Sequence, residues 1–238
     1  RYYRPEYTTI ILAGDVTAAR SRALVSRYWG GWKRGSYKPA IPAEPPQTGP
    51  RTKHVDWPSP TLPWVVVAFR APAYSDTEKD GAALDLAAAL GFSESSELYQ
   101  KLVIQEQKVD VLDAENPDRV DPNLFAVWAR VKQPGDTGYV QDRILSTIGG
   151  FRERLAEAGR LDAVRRNLRY SFALRLDNSE AIAAALARFV ALRRTPETVN
   201  RRYDLYTQVT AEDIRAAARQ YFVESGRTIV TLTGGAAK

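Results

Sequence analysis

The chain has 238 residues, 44% hydrophobic and 26% charged, enough to bury one large core or two small ones. It has no cysteine, which excludes disulfides, thiolate metal sites and cysteine nucleophiles. The net charge is +6, but arginines alternate with acids, as around Glu153, a pattern typical of a solvated helix face rather than a nucleic-acid-binding stripe. There is no targeting segment and no apolar run long enough to span a bilayer, so a periplasmic and a cytoplasmic location both stay open.

The N-terminal residues predict a strand, a turn and a helix. The strand covers Thr8–Ala13, and the Gly14-Asp15 pair makes the turn. Asp15 or Thr17 can cap the helix that follows, and Gly30-Gly31 can end it through the left-handed conformation that glycine tolerates. The helix is indicated by apolar residues at helical spacing: Leu24, Val25, Tyr28 and Trp29.

The middle of the chain predicts two helices among strands. Ser75 and Glu78 fit a capping box that starts a helix ending near Gly91, and Ser93 or Ser95 can cap a second helix that runs to Val103. A proline-rich loop segment at 35–60 contains a short predicted strand at 53–57, and further strands are predicted at residues 63–69, 108–113 and 124–131.

Beyond Pro134 the pattern is mostly helical. Helices are predicted at residues 136–158, 161–174 and 179–192, from Pro196 onward, and after a cap at Thr210, with a closing strand at 227–232. Strands interrupted by helix pairs indicate an α+β fold, a mostly antiparallel sheet with helices packed on one face. We expect a single domain over residues 1–238. Because the chain starts with Arg1 rather than Met, we expect it to be a fragment of a longer protein.

Catalytic motifs are missing from the sequence. His54 is the one histidine, so a zinc site built from two histidines and a carboxylate cannot form within this chain. His54 is therefore interpreted as a surface or partly packed residue. The sequence has no nucleophile elbow, dinucleotide fingerprint or phosphate-binding loop. We expect no catalytic residue and no metal ligand here.

Three segments together resemble the second domain of the pitrilysin or insulinase-like zinc metallopeptidases, which include the mitochondrial processing peptidases. The first is Tyr-Arg-Pro, a hydrophobic run and Gly-Asp at residues 3–15. The second is Ser-Glu-Leu-Tyr-Gln-Lys-Leu at 96–102, and the third is Val-Thr-Ala-Glu-Asp-Ile at 209–214. They occur in the family's order and span nearly the whole chain.

The resemblance implies a metallopeptidase-like α/β roll that is zinc-free. Such a domain would pair with a zinc-bearing domain or subunit and form part of the chamber that holds a peptide substrate. Zinc is then expected only in the partner domain, with no cofactor in this chain, and a dimer is possible. Whether the chain belongs to an active enzyme stays open, because the alternative is a proteolytically inactive scaffold or interaction subunit of the same fold.

One departure from the family pattern concerns the substrate-contacting residues. Active relatives carry an arginine and a tyrosine where this chain has Val103 and Asp110, and valine cannot donate a hydrogen bond to an oxyanion. Val103 is interpreted as a packing residue. Lys108 and Asp110 share a strand face if side chains alternate, so they are the predicted substrate-binding residues.

Overall fold

The computed structural model of the protein describes residues 3–235, which group into two compact units. One unit comprises Arg1–Pro46 and Leu168–Asn200, and the other comprises Gln47–Asn167 and Arg201–Lys238. The expectation of a single domain over residues 1–238 stays a prediction.

The second unit contains a five-stranded sheet, counted over residues 3–235. Its strands lie in the order β1-β5-β2-β4-β3; β1 is parallel to β5, and the other neighbours are antiparallel. The mostly antiparallel sheet confirms the predicted α+β class. The strands are β1 (Arg51–Trp57), β2 (Trp64–Ala71), β3 (Val109–Glu115), β4 (Asn123–Val131) and β5 (Arg227–Gly234).

The helices follow the predicted order with shifted ends. They are α1 (Ala18–Trp29), α2 (Asp80–Phe92), α3 (Glu97–Tyr99), α4 (Thr137–Glu153), α5 (Ala158–Leu174), α6 (Ser179–Arg193), α7 (Thr198–Gln208) and α8 (Ala211–Tyr221). A π-helical stretch at Gln100–Gln105 continues α3. Among the described residues, no helix combines the length and the apolar character needed to cross a bilayer.

The core of the second unit lies between one face of the sheet and the helices α2, α4 and α8. Side chains alternate along a strand, and Phe69 of β2 and Phe125 of β4 point to the helix side. Both rings pack on Phe222, at centroid distances of 5.3 and 4.8 Å, just after α8. Helix α2 is buried almost all round, with Leu84 and Leu86 fully inaccessible, which explains its nearly uniform apolar sequence.

The predicted strand at Thr8–Ala13 is wrong. The structure describes all six residues and assigns them no strand, because no described strand lies beside them to accept and donate ladder hydrogen bonds. Ile10 and Leu12 are 42% and 52% exposed. The helix that follows is present, with Thr17 as its cap, while Gly30 keeps a right-handed helical conformation at the other end.

Two predicted helix caps also differ. Ser75 accepts hydrogen bonds from the N–H groups of Thr77 and Glu78, but the helix begins only at Asp80, so Ser75 stabilises a turn ahead of it. The cap of α3 is Ser96 rather than Ser93 or Ser95, since Ser96 accepts from the N–H of Tyr99. Ser93 and Ser95 hydrogen-bond to each other instead.

A buried ion cluster joins three segments of the second unit. The guanidinium of Arg202, only 2% exposed, lies 2.6 Å from Asp85 of α2 and 3.4 Å from Asp118 of the β3–β4 loop. Tyr206 donates its hydroxyl hydrogen to Asp85 over 2.5 Å. Asn116 completes the shell by donating to the other oxygen of Asp85. Each buried charge therefore has an oppositely charged or hydrogen-bonding partner.

The pKa values of the cluster reflect burial and charge together. Burial alone would lower the pKa of Arg202, but the carboxylates of Asp85 and Asp118 reverse this and raise it, so the guanidinium stays charged. Burial and the neighbouring Asp85 carboxylate raise the pKa of Tyr206 well above its usual value, so the phenol stays protonated and keeps donating.

Replacing Arg202 with methionine is expected to lower the free energy of unfolding by about 3–5 kcal/mol, because Asp85 and Asp118 would stay buried without their cation. The measurement is urea unfolding at neutral pH. Arg227→Gln, which removes a surface pair with Glu224, is the control and should cost less than about 1 kcal/mol. Equal losses in the two variants would contradict the role of the cluster.

Replacing Thr210 with alanine is expected to cost about 1 kcal/mol of unfolding free energy. Thr210 and Asp213 form the predicted cap of α8 as a reciprocal capping box, in which the Asp213 N–H donates to the Thr210 hydroxyl and the Thr210 N–H donates to the Asp213 carboxylate. Thr207→Ala is the matched control, since that exposed hydroxyl bonds only a carbonyl within α7. The effect of the cap is disproved if thermal and urea unfolding of both variants coincide.

Candidate functional site

The sheet face opposite the helices is the candidate site. Val67 and Phe69 of β2 point to the helices and are buried, so Trp64 and Val66, at alternate positions, lie on the other face and are partly exposed. Strand pairing places further apolar residues beside them on this surface, which we call the open face. Its apolar members are Trp64, Val66, Leu124, Trp128, Val230 and Leu232.

The open face is accessible as well as apolar. Trp128 is 40% exposed and Leu124 38% exposed, although both lie on β4, an inner strand of the sheet. Large apolar side chains on an inner strand are normally covered, and a cluster of them at a surface marks a binding area. Shape and chemistry therefore suit a ligand with apolar side chains, such as an extended peptide.

Charged residues frame this apolar surface at its two edges. Asp113 and Glu115 of β3 register with Trp128 and Ala126 on the open-face side. Lys53 of β1 registers with Val230 at the opposite edge of the sheet. The surface is thus acidic at one edge and basic at the other.

Asp110, a predicted substrate-binding residue, is held in a bidentate ion pair. Arg130 of β4 donates from Nε to Oδ1 at 2.9 Å and from Nη2 to Oδ2 at 3.0 Å. These hydrogen bonds lower the pKa of Asp110 and raise that of Arg130. The same guanidinium lies 5.7 Å from the centroid of the Trp64 ring. Asp110 therefore orients Arg130 over the rim of the open face.

Lys108, the other predicted substrate-binding residue, does not take part in this ion pair. It precedes β3, just after Gln107, whose φ of 52° is left-handed. Its ammonium group donates to Asp136 at 2.5 Å and lies 5.7 Å from the Tyr139 ring. The hydrogen bond with Asp136 raises the pKa of Lys108. Lys108 and Asp110 have different ion-pair partners, Asp136 and Arg130, and the bulge between Val109 and Val111 breaks the alternation that linked them.

Residues 3–235 contain no group of three or more His, Cys, Asp or Glu residues that could hold a metal ion. His54, 49% exposed, hydrogen-bonds through Nδ1 to Thr231 and through Nε2 to Asp56. Val103 is half-buried in the π-helical stretch.

The open face is not among the features predicted from the sequence. Phe125, Val127, Ala129 and Val131 alternate along β4 and are all buried on its helix side. The sequence pattern that could have predicted the open face is in the alternate positions of β4, where Leu124 and Trp128 make the other side of the strand apolar as well. An inner strand that is apolar on both sides predicts a second surface to be covered.

The fold and the open face define an α+β domain with a binding surface and, among its described residues, no metal cluster. Its sequence matches the model of the peptidase M16 inactive domain over residues 1–168. The chain belongs to this family, a class of non-catalytic domains of zinc protease-like proteins. The predicted relationship to zinc metallopeptidases is thereby confirmed. Among curated proteins, none matches this sequence.

Solved structures from several bacteria share the fold. A protease from Helicobacter pylori is 24% identical with a TM-score of 0.82, covering 93% of this chain and 53% of its own. A peptidase M16 inactive domain from Pseudomonas fluorescens is 12% identical with a TM-score of 0.74, covering 94% and 53%. The periplasmic protease PqqL from Escherichia coli is 15% identical with a TM-score of 0.68, covering 93% and 25%. The chain thus spans about half the length of the first two.

The ion pair of Asp110 predicts a pH response. Because Arg130 stabilises the charged carboxylate, the pKa of Asp110 in the folded protein lies below its ordinary value. The ion pair therefore stabilises the fold fully at pH values above the ordinary pKa of an aspartate. This stabilisation is lost as the pH falls through the lower pKa of the folded protein. NMR titration of the Asp110 carboxyl carbon should show the low pKa, and Arg130→Gln should return it toward the ordinary value. Lys132→Gln removes a weaker charge contribution to the same carboxylate and should raise the pKa of Asp110 less than Arg130→Gln does. An unchanged pKa in Arg130→Gln would refute the assignment.

Proposed function

We propose that this chain is the non-catalytic half of a peptidase, and that its open face forms one wall of a chamber that holds a peptide substrate. The opposite wall would be a zinc-bearing domain, located in the same polypeptide or in a separate subunit. The observation that carries the proposal is the apolar open face around Trp128, exposed on an inner strand. Family membership supports it, because inactive domains of this type are halves of zinc protease-like proteins.

In this proposal, peptide capture and peptide hydrolysis reside on different domains. The open face would bind apolar side chains of the substrate through Trp64 and Trp128. Arg130, held in place by Asp110, keeps a guanidinium at the rim, where it can donate to a peptide carbonyl or carboxylate. Zinc in the partner domain would activate the attacking water, a step to which this chain contributes no group.

The opposite charges at the two edges of the open face would orient a bound peptide. A peptide lying across the strands would place basic residues near Asp113 and Glu115 of β3 and acidic residues near Lys53 of β1. We therefore expect substrates with apolar centres and charged flanks to bind better than uniformly charged ones.

A second candidate is a proteolytically inactive scaffold of the same fold. Val103 has no donor group, and the ionised carboxylate of Asp110 can only accept hydrogen bonds, as it does from Arg130, so neither residue can polarise a substrate carbonyl. In that case the open face would bind a partner protein permanently rather than a succession of peptides. The two candidates differ in whether a complex with a zinc-bearing partner hydrolyses peptides.

The test is peptide hydrolysis by this chain combined with the zinc-bearing domain, identified by a His-x-x-Glu-His motif upstream in the same polypeptide or operon. Trp128→Ala is expected to raise KM about tenfold, because it removes a large apolar contact area. Tyr170→Ala on α5, an aromatic that is even more exposed, at 67%, is the control and should leave KM unchanged.

The isolated chain should hydrolyse nothing and bind no stoichiometric zinc. A complex that forms without hydrolysis would favour the scaffold. Tight zinc binding with activity in the isolated chain would overturn both candidates.

A further inference from the structure

A cavity of about 280 Å³ lies in the helical layer of the second unit, on elements that do not contribute to the open face. It opens among the C-terminal ends of α2 and α4, helix α3 and the short link between α4 and α5. Its volume is slightly below the range of about 300–1,000 Å³ that is usual for small-ligand sites, so it suits a compact ligand. Four apolar side chains, Leu90, Leu98, Phe151 and Leu155, contribute to its wall.

Two glycines keep this cavity open. A Cβ added at Gly91 of α2 would lie 2.9 Å from the ring of Phe151. A Cβ added at Gly150 of α4 would lie 2.6 Å from Nη2 of Arg154. A larger residue at either position would require the neighbouring side chain, Phe151 or Arg154, to shift. The guanidinium of Arg154 therefore lies directly across the backbone of Gly150, at the wall of the cavity.

Hydrogen-bond donors and acceptors in the cavity wall are unequally occupied. Glu97 is paired with Arg160 at 2.8 Å. Both oxygens of Glu157 accept backbone N–H groups, from Gly159 at 2.8 Å and from Arg160 at 3.0 Å, at the start of α5. The formal charges of the wall balance, since it has two glutamates and two arginines, Arg154 and Arg160. Both glutamates, however, already accept hydrogen bonds from other groups of the protein.

Arg154 is the exception in this wall. Among residues 3–235, its guanidinium makes no ion pair or hydrogen bond, so its N–H donors are available to a ligand. Arg154 is exposed to solvent at the cavity wall, and its planar guanidinium matches a carboxylate in a bidentate geometry. The exposed side chain of Leu155, at 46%, adds an apolar edge beside it.

We propose that this cavity binds a carboxylate attached to a compact apolar group, with Arg154 holding the carboxylate and Leu90, Leu98 and Phe151 surrounding the apolar part. Two sources share this chemistry, a free medium-chain acid and the C-terminal residue of a peptide. The site is separate from the open face, so its existence does not depend on the function proposed for that face.

Binding can be measured on the full chain by two-dimensional NMR titration. The probes are octanoate and N-acetyl-phenylalanyl-leucine, with octanol and the peptide amide as neutral counterparts. We expect at least one acid to shift the amide signals of Gly91 and Gly150, and its neutral counterpart to bind about tenfold more weakly, the effect of losing a charge-assisted hydrogen bond. Octanoate alone would assign a free acid, and the peptide acid alone would assign a peptide terminus.

Variants separate ligand binding from a purely structural role of Arg154 at the C-terminal end of α4. Arg154→Glu should abolish the shifts, Arg154→Lys should retain part of the affinity, and Arg152→Glu, an exposed arginine on the same helix, should bind as the unaltered chain does. Unfolding by urea checks that each variant folds. The proposal is overturned if neither acid binds, if the neutral counterparts bind equally well, or if Arg154→Glu binds unchanged.

Discussion

The buried guanidinium of Arg202 is the constraint on which the arrangement of the second unit depends. It joins α7 to α2 and to the loop between β3 and β4, three segments that are far apart in the sequence. Its charge lies between the rings of Tyr74 and Tyr206, at 5.4 and 5.3 Å from their centroids. Gly81 lies beside it, and an added Cβ would lie 3.1 Å from Nη1, so a larger residue there would require the guanidinium to shift. A buried ion pair specifies one alignment, because any other alignment leaves charges unpaired.

That alignment fixes the side of the sheet that the helices cover. Helix α2, anchored through Asp85, packs against β3, and α4 and α8 pack on the inner strands. Phe222 then joins β2 and β4 from the helix side. Once one face is filled in this way, the apolar residues of the other face stay partly exposed, Trp128 among them. The open face is therefore a direct consequence of a one-sided core.

Most of the fold could be predicted from local sequence patterns. The Thr210–Asp213 box and the apolar spacing of α8 required only short-range rules, and both are present. The strand at Thr8–Ala13 could not be excluded from its composition, because a strand also needs a neighbouring strand with free backbone groups. The composition of a segment indicates its propensity to form a strand, but not whether a neighbouring strand is present to pair with it.

The site was less predictable than the fold. Arg202 resembles the many arginines of solvated helix faces, and only long-range contacts with Asp85 and Asp118 distinguish it. Lys108 and Asp110 were grouped by alternation, which a single bulge is enough to break. Trp128 was visible in the sequence, but its importance depends on which side of β4 the helices occupy, a property of topology rather than of periodicity.

The bulge in β3 has a consequence for association between molecules. Strand β3 is at the edge of the sheet, where unpaired N–H and C=O groups would accept a strand from a neighbouring chain. The irregular register near Val109 disrupts that row, and the negative charges of Asp113 and Glu115 would repel an identical edge brought alongside. This border of the sheet is thereby protected against self-templated aggregation, even while the neighbouring β4 exposes a large tryptophan.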